Sequence, residues 1–323
     1  MRPVFLSGFG PLLAWLVASG CGGGDCAGLS VSGCDLPEGN PNIELRFVVA
    51  PGTPGFTEEQ MARLQNVKSR VELSITRKLG ANSVGLGQGD CGPNSPAFHQ
   101  HVDDLVVFVS VEPLDEPSTT RETILAEAAP CLVRSNNHLP VVSYVRFDVD
   151  EVGGLAQSGA LEPVFLHELL HALGFGSLWG NRFFGLLENA SKPNRAGTDT
   201  YFSGPNAVAG FDQIGGSSYA LHKVPVENSG GGQADTHWRG SVLHGELMQP
   251  FLEGLHPALS LLTLRSLQDL GYSVDLSQAD SYALRSSGPA ANAAQSGSVR
   301  FDVPSHVPVR VVDASGHVVH ILR

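Results

Sequence analysis

The chain has 323 residues, 42% of them apolar, enough for a substantial core arranged as one large domain or two modest ones. Its formal charge of −12, with no Lys/Arg run, argues against electrostatic attachment to nucleic acid or to an anionic membrane surface.

Residues 1–20 read as an export signal: Arg2 supplies the positive end, and Val4 to Ala18 is apolar but interrupted by Ser7, Gly8, Gly10 and Pro11. That stretch is too short and broken for a comfortable membrane span. Val17-Ala18-Ser19-Gly20-Cys21 resembles a bacterial lipobox, in which the Cys is lipidated and becomes N-terminal after cleavage. The expectation is an exported protein, touching a membrane only through a lipid on Cys21, or secreted if cleavage occurs without lipidation. Four cysteines remain, Cys26, Cys34, Cys91 and Cys131, and outside the cytoplasm they are free to pair. Of the three possible pairings, Cys26 with Cys34 and Cys91 with Cys131 is favoured. No C-x-x-C pair points to a cysteine zinc site or a redox motif.

Residues 21–40, rich in Gly, Ser, Asp and Pro, form a tether, and a folded domain is expected over 41–284. Ile43 to Ala50 reads as a strand; a helix follows, with Thr57 and Gln60 as its capping box and Met61, Leu64, Val67, Val71 and Ile75 at helical spacing. Asp103 to Val111 and Leu139 to Val149 read as further strands, and Thr120 to Ala128 as a short helix or turn. A second helix starts near Glu162 or Pro163 and stops at Gly174. Residues 177–236 carry the Gly, Asn, Ser and Pro of packed loops, whereas Pro257 to Leu270 returns to helical spacing. An Ala/Ser/Gly-rich linker at 285–298 leads to a short β-rich tail, 299–323, with a hairpin turn at Asp313 to Gly316. The order of elements predicts an α+β fold: a twisted mixed sheet with two long helices, one carrying the site, then a loop-rich insertion and a smaller C-terminal part.

The chemistry centres on Phe165 to Gly176, FLHELLHALGFG. In a helix His167 and His171 leave the same face one turn apart, so both rings reach one Zn²⁺. Glu168 projects beside them, suited to take a proton from an attacking water rather than to ligate. A catalytic zinc normally has three protein ligands, and many proteases with this helix place the third His six residues after the second. Gly174 keeps that spacing here, but position 177 is Ser. His237 and His244, in THWRGSVLHGELMQP at 236–250, are the replacements on offer.

At this point the chain resembles leishmanolysin, a metzincin protease family whose third His follows a long insertion and stands eleven residues before the Met of a turn beneath the metal. His237 and Met248 reproduce that separation, and Glu246-Leu247-Met248 its context. Similar stretches recur at 104–111, 124–131, 139–148, 201–211, 224–228 and 267–272. The resemblance implies a metzincin-like fold over about residues 43–284. It also implies one zinc ion held by His167, His171 and His237, with Glu168 as base and then acid, Gly174 at the turn between the upper and lower parts of the cleft, and Met248 as an apolar floor. It implies an endopeptidase acting on protein or peptide substrates, and the working form is expected to be a monomer. Two rival functions remain open: a surface-tethered binding or adhesion protein on the same fold, and a zinc amidase acting on cell-wall peptides. Retention of Glu168 with all three proposed ligands counts against the binding or adhesion reading, because a purely structural zinc would be closed by a fourth protein ligand.

Overall fold

The computed structural model describes residues 43–50, 55–114, 123–192, 195–219, 223–228, 233–284, 299–302 and 308–322. The export signal, the tether with Cys21, Cys26 and Cys34, and the 285–298 linker lie outside them.

Strand β1 (Leu45–Val49) is followed by helix α1 (Glu58–Ser74), the hairpin β2 (Asn82–Leu86) and β3 (Phe98–Val102), then β4 (Leu105–Glu112), β5 (Thr123–Arg134) and β6 (Pro140–Asp148). Helices α2 (Val152–Ser158) and α3 (Leu161–Ala172) come next. The central sheet runs β1-β4-β6-β5, with the first three parallel and β5 antiparallel to β6. Every residue of β4 and β6 is buried, as expected of strands covered on both faces. Val107, Val109, Val145 and Phe147 share a core with α1 and α3. Val106, Phe108, Val142 and Tyr144 pack on the other face with the β2–β3 hairpin. On that second face Cys91 and Cys131 form a disulfide with Cα atoms 5.5 Å apart, tying the β2–β3 connection to β5.

Helix α1 begins at the expected capping box, Thr57 Oγ1 accepting from Gln60 N and Gln60 Oε1 from Thr57 N. Within the stretch expected as a short helix or turn, Thr123 to Ala128 is instead the start of the twelve-residue strand β5. Ala126 and Ala128 are fully buried in the core shared with α3, which packs directly on β5. Small side chains let the helix sit close, and that packing overrides the helical preference of alanine.

The 177–236 segment is less irregular than its composition suggests. It holds β7 (Leu187–Glu188), β8 (Tyr201–Phe202), helix α4 (Pro205–Gln213) and β9 (Val224–Pro225). Helix α4 packs on α5 (Leu261–Asp269), and the Asp269 carboxylate accepts from the Asn206 and Ala207 backbone N–H groups at the start of α4. Helix α5 starts later than its apolar spacing implies because Ser260 is its N-cap, accepting from Thr263 N at 3.3 Å.

The C-terminal residues join the main sheet rather than standing apart as a tail. β10 (Val299–Asp302) and β11 (Val309–Val312) both pair in parallel with β5, and β12 (Val318–Leu322) closes an antiparallel hairpin on β11. Asp313 forms the intervening turn by accepting from Ser315 N and His317 N. Val311 and Val312 are 2% and 1% exposed, one in each core.

Candidate metal centre

Helix α3 is apolar on nearly every side, and Phe165 stacks edge-on against Phe47 at 5.3 Å. Its last carbonyls, which have no partner within the helix, are taken by side chains: Ser143 Oγ donates to Ala172 O and Tyr272 OH to Leu173 O. The helix is thereby pinned to β6 and to the segment after α5. Gly174 then turns the chain at φ +99°, in the left-handed region that favours glycine. Two residues on, Gly176 (φ +75°) is the closer constraint, since a Cβ there would lie 2.3 Å from Thr236 O. The segment bringing back His237 crosses the helix exit at this point.

Aromatic packing holds that crossing. Trp238 is fully buried, with ring centroids 5.1 Å from Phe175, 4.9 Å from Trp179 and 5.7 Å from Phe202. Phe175 and Trp179 follow α3, and Phe202 belongs to β8, so three rings from two separate stretches lock the residue next to His237.

The result is a cluster of His167, His171 and His237, all fully buried. Their Nε2 atoms form a triangle with sides of 2.9 Å (His171 to His167), 3.1 Å (His171 to His237) and 3.2 Å (His167 to His237). Each Nδ1 faces a backbone carbonyl: Leu247 O at 2.7 Å from His167, Phe175 O at 2.9 Å from His171, and Gln233 O at 3.2 Å from His237, whose Nδ1 also meets Thr236 Oγ1 at 2.9 Å, a hydroxyl that donates to Gln233 O and so accepts from the ring. A carbonyl only accepts, so the proton of each neutral ring sits on Nδ1 and the three Nε2 lone pairs face one another. Lone pairs at such distances repel unless a cation lies among them. Tetrahedral zinc with bonds of about 2.0–2.1 Å separates its nitrogen ligands by roughly 3.3 Å, so the triangle fits the ion with only a slight expansion. Ring orientation by carbonyls is the usual outer support of such ligands.

Burial depresses the protonation of all three rings: His171 to about 4, and His167 and His237 well below the ordinary histidine value, the neighbouring imidazoles adding to the effect at these last two only. They are neutral, the form a metal binds. Glu168 is fully buried on the same helix, and Met248 is fully buried in the main core. His244 lies outside the cluster, with Nδ1 3.3 Å from Glu253 Oε1 and its side chain 37% exposed.

Sequence reasoning missed the orienting carbonyls of Leu247, Phe175 and Gln233, because any residue supplies a carbonyl. It also passed over Gly176, although the repeated glycine in Gly174-Phe175-Gly176 was a signal of a second tight approach.

Three histidines, two from an H-E-x-x-H helix beneath a mixed sheet and one from a distant returning segment, define the class as a zinc-dependent peptide hydrolase. Residues 85–287 match the sequence model of the leishmanolysin family. The chain belongs to that family and is a zinc metalloendopeptidase. A search of curated proteins finds no match.

Proposed function

We propose that His167, His171 and His237 hold the single catalytic zinc and that Glu168 is the general base and acid of an extracytoplasmic endopeptidase. The convergence of three Nε2 lone pairs, each aimed by a carbonyl behind its ring, carries this reading. The bound ion supplies Lewis acidity towards a peptide carbonyl and makes water more acidic. Glu168 accepts the proton of the attacking water and returns it to the departing amine, so one carboxylate serves both halves of the cleavage. Gly174 provides the turn between an upper, sheet-bearing part and a lower part ending in α5, the division of a metzincin-like cleft. Met248 forms the apolar floor under the histidines. The Cys91–Cys131 disulfide supports an oxidising, extracytoplasmic location, and lipidation at Cys21 would anchor the protein there. The substrate is a protein or peptide, and the working form is a monomer.

Glu168→Gln is expected to retain zinc and to lose about 10²–10⁴-fold in cleavage of an unfolded protein. His237→Ala is expected to lose both zinc and activity, and His244→Ala to keep most of both. A Glu168→Gln protein that cleaves at the wild-type rate would sink the assignment, and metal loss in His244→Ala but not His237→Ala would move the third ligand.

A further inference from the structure

Glu246 is fully buried and lies outside the histidine cluster, yet it gathers four donors. Its Oε1 accepts from Ser260 Oγ at 2.6 Å, Ser260 N at 3.3 Å and Thr263 Oγ1 at 2.5 Å, and its Oε2 accepts from Met248 N at 2.5 Å. Both sides of this network end at a zinc ligand. On one side, Glu246 and the Met248 N–H fix the turn around Leu247, whose carbonyl orients His167 through Nδ1. On the other, Thr263 Oγ1 accepts from Trp238 Nε1 at 2.8 Å, and Trp238 N donates to Met248 O at 2.9 Å. Trp238 is bonded directly to His237.

We infer that Glu246 is a positioning residue of the metal centre. It touches neither metal nor substrate, but through the Leu247 carbonyl and the Thr263–Trp238 link it sets the aim of His167 and His237 together. The chemistry explains why a carboxylate stands here. Four donors converge on two oxygens, and only an acceptor-only group satisfies them all. In Glu246→Gln either orientation of the amide turns its NH2 towards a backbone N–H, of Met248 or of Ser260. This inference rests on the three-histidine reading of the zinc site.

A group that merely ties the Met248 turn to α5 would affect folding and not the metal. Asp104 is the comparison: its side chain is also buried, and it accepts from Glu44 N, Leu79 N and Lys78 Nζ, none of them joined to a histidine of the cluster. In the full-length protein, zinc affinity is measured by competition with a chromophoric chelator and ligand geometry by the visible spectrum of the Co²⁺-substituted form, beside thermal unfolding of the metal-free form. Glu246→Gln is expected to weaken zinc binding about 10–100-fold and to shift the Co²⁺ bands. Asp104→Asn is expected to lower the metal-free Tm while leaving affinity and spectrum unchanged. If Glu246→Gln does not fold, Thr263→Val, which removes one donor to Glu246 together with the link to Trp238 and leaves the Met248 and Ser260 bonds in place, is expected to weaken binding several-fold with a similar spectral shift. Wild-type affinity and spectrum in the folded variant, or an equal loss in Asp104→Asn, overturns the inference. A wild-type protein that binds neither Zn²⁺ nor Co²⁺ overturns the three-histidine centre itself.

Discussion

A protonated His171 is disfavoured inside the cluster, because its ring is fully buried and its charge would be cut off from solvent. The unfolded chain takes up protons on its imidazoles as pH falls through about 6.5. The folded chain keeps His171 neutral to about 4, and burial holds His167 and His237 neutral well below the ordinary range. Between those limits the unfolded state binds more protons, so stability falls as pH falls, by roughly 1.4 kcal/mol per pH unit for His171 alone. Above pH 7 the penalty vanishes. Protons also compete with zinc for the same lone pairs. Acidification from pH 7 to 4.5 is therefore expected to release the metal and lower the Tm, followed by metal analysis and thermal unfolding. A Tm independent of pH across that window would mean the rings are not buried in neutral form.

At the scale of elements, the exit of α3 is where ligand geometry is most exposed to change. Gly174 and Gly176 both have positive φ, so alanine at either position costs about 1–2 kcal/mol from the backbone alone. The surroundings differ. A Cβ at Gly174 meets the movable end of Leu178, whereas at Gly176 it meets the Thr236 backbone, one residue from His237. Gly174→Ala is expected to lower the Tm by a few degrees and keep zinc. Gly176→Ala is expected to lose zinc affinity as well, measured by chelator competition; equal affinities in the two variants would show that the crossing does not hold the third ligand. The legibility of the site follows the same division. His167, Glu168, His171 and Gly174 are readable because one helical turn and its stop relate them, a purely local pattern. His237 has no local relation to them, and only the likeness of its surroundings to a known family singles it out from His244. Strand β5 was misread because its alanines answer to the helix lying on them. Helix α4 was missed because its start, Gly204-Pro205-Asn206, has the composition of a loop and its cap comes from Asp269, 63 residues from Asn206.

For the molecule as a whole, the sheet is completed from its C-terminal end, beyond the matched family segment that stops at 287. A chain ended there loses β10 to β12, leaves the outer edge of β5 unpaired and removes Val311 and Val312 from the two cores. Two buried valines alone represent about 3–6 kcal/mol, and an open strand edge invites association. The truncated protein is expected to express largely as aggregate or to unfold many degrees lower; a soluble monomer of unchanged Tm would show the hairpin to be dispensable. Removing the Cys91–Cys131 link by paired serine substitution is expected to cost about 2–4 kcal/mol in denaturant unfolding while leaving zinc content intact, since neither cysteine supports a ligand.

His171 and His237 are 66 residues apart in sequence, yet their Nε2 atoms lie 3.1 Å apart. An ion joining them closes a loop, much as a disulfide does, and for a loop of that length the restraint on the unfolded chain amounts to about 4 kcal/mol. Loop-closure entropy grows only with the logarithm of length, so doubling the excursion adds only about 0.6 kcal/mol. What the site demands is that the chain return to the narrow gap beside Gly176; how far it travels in between is almost free. The stretch between the second and third histidines is thus where this protein can gain or lose surface and still close the same ring.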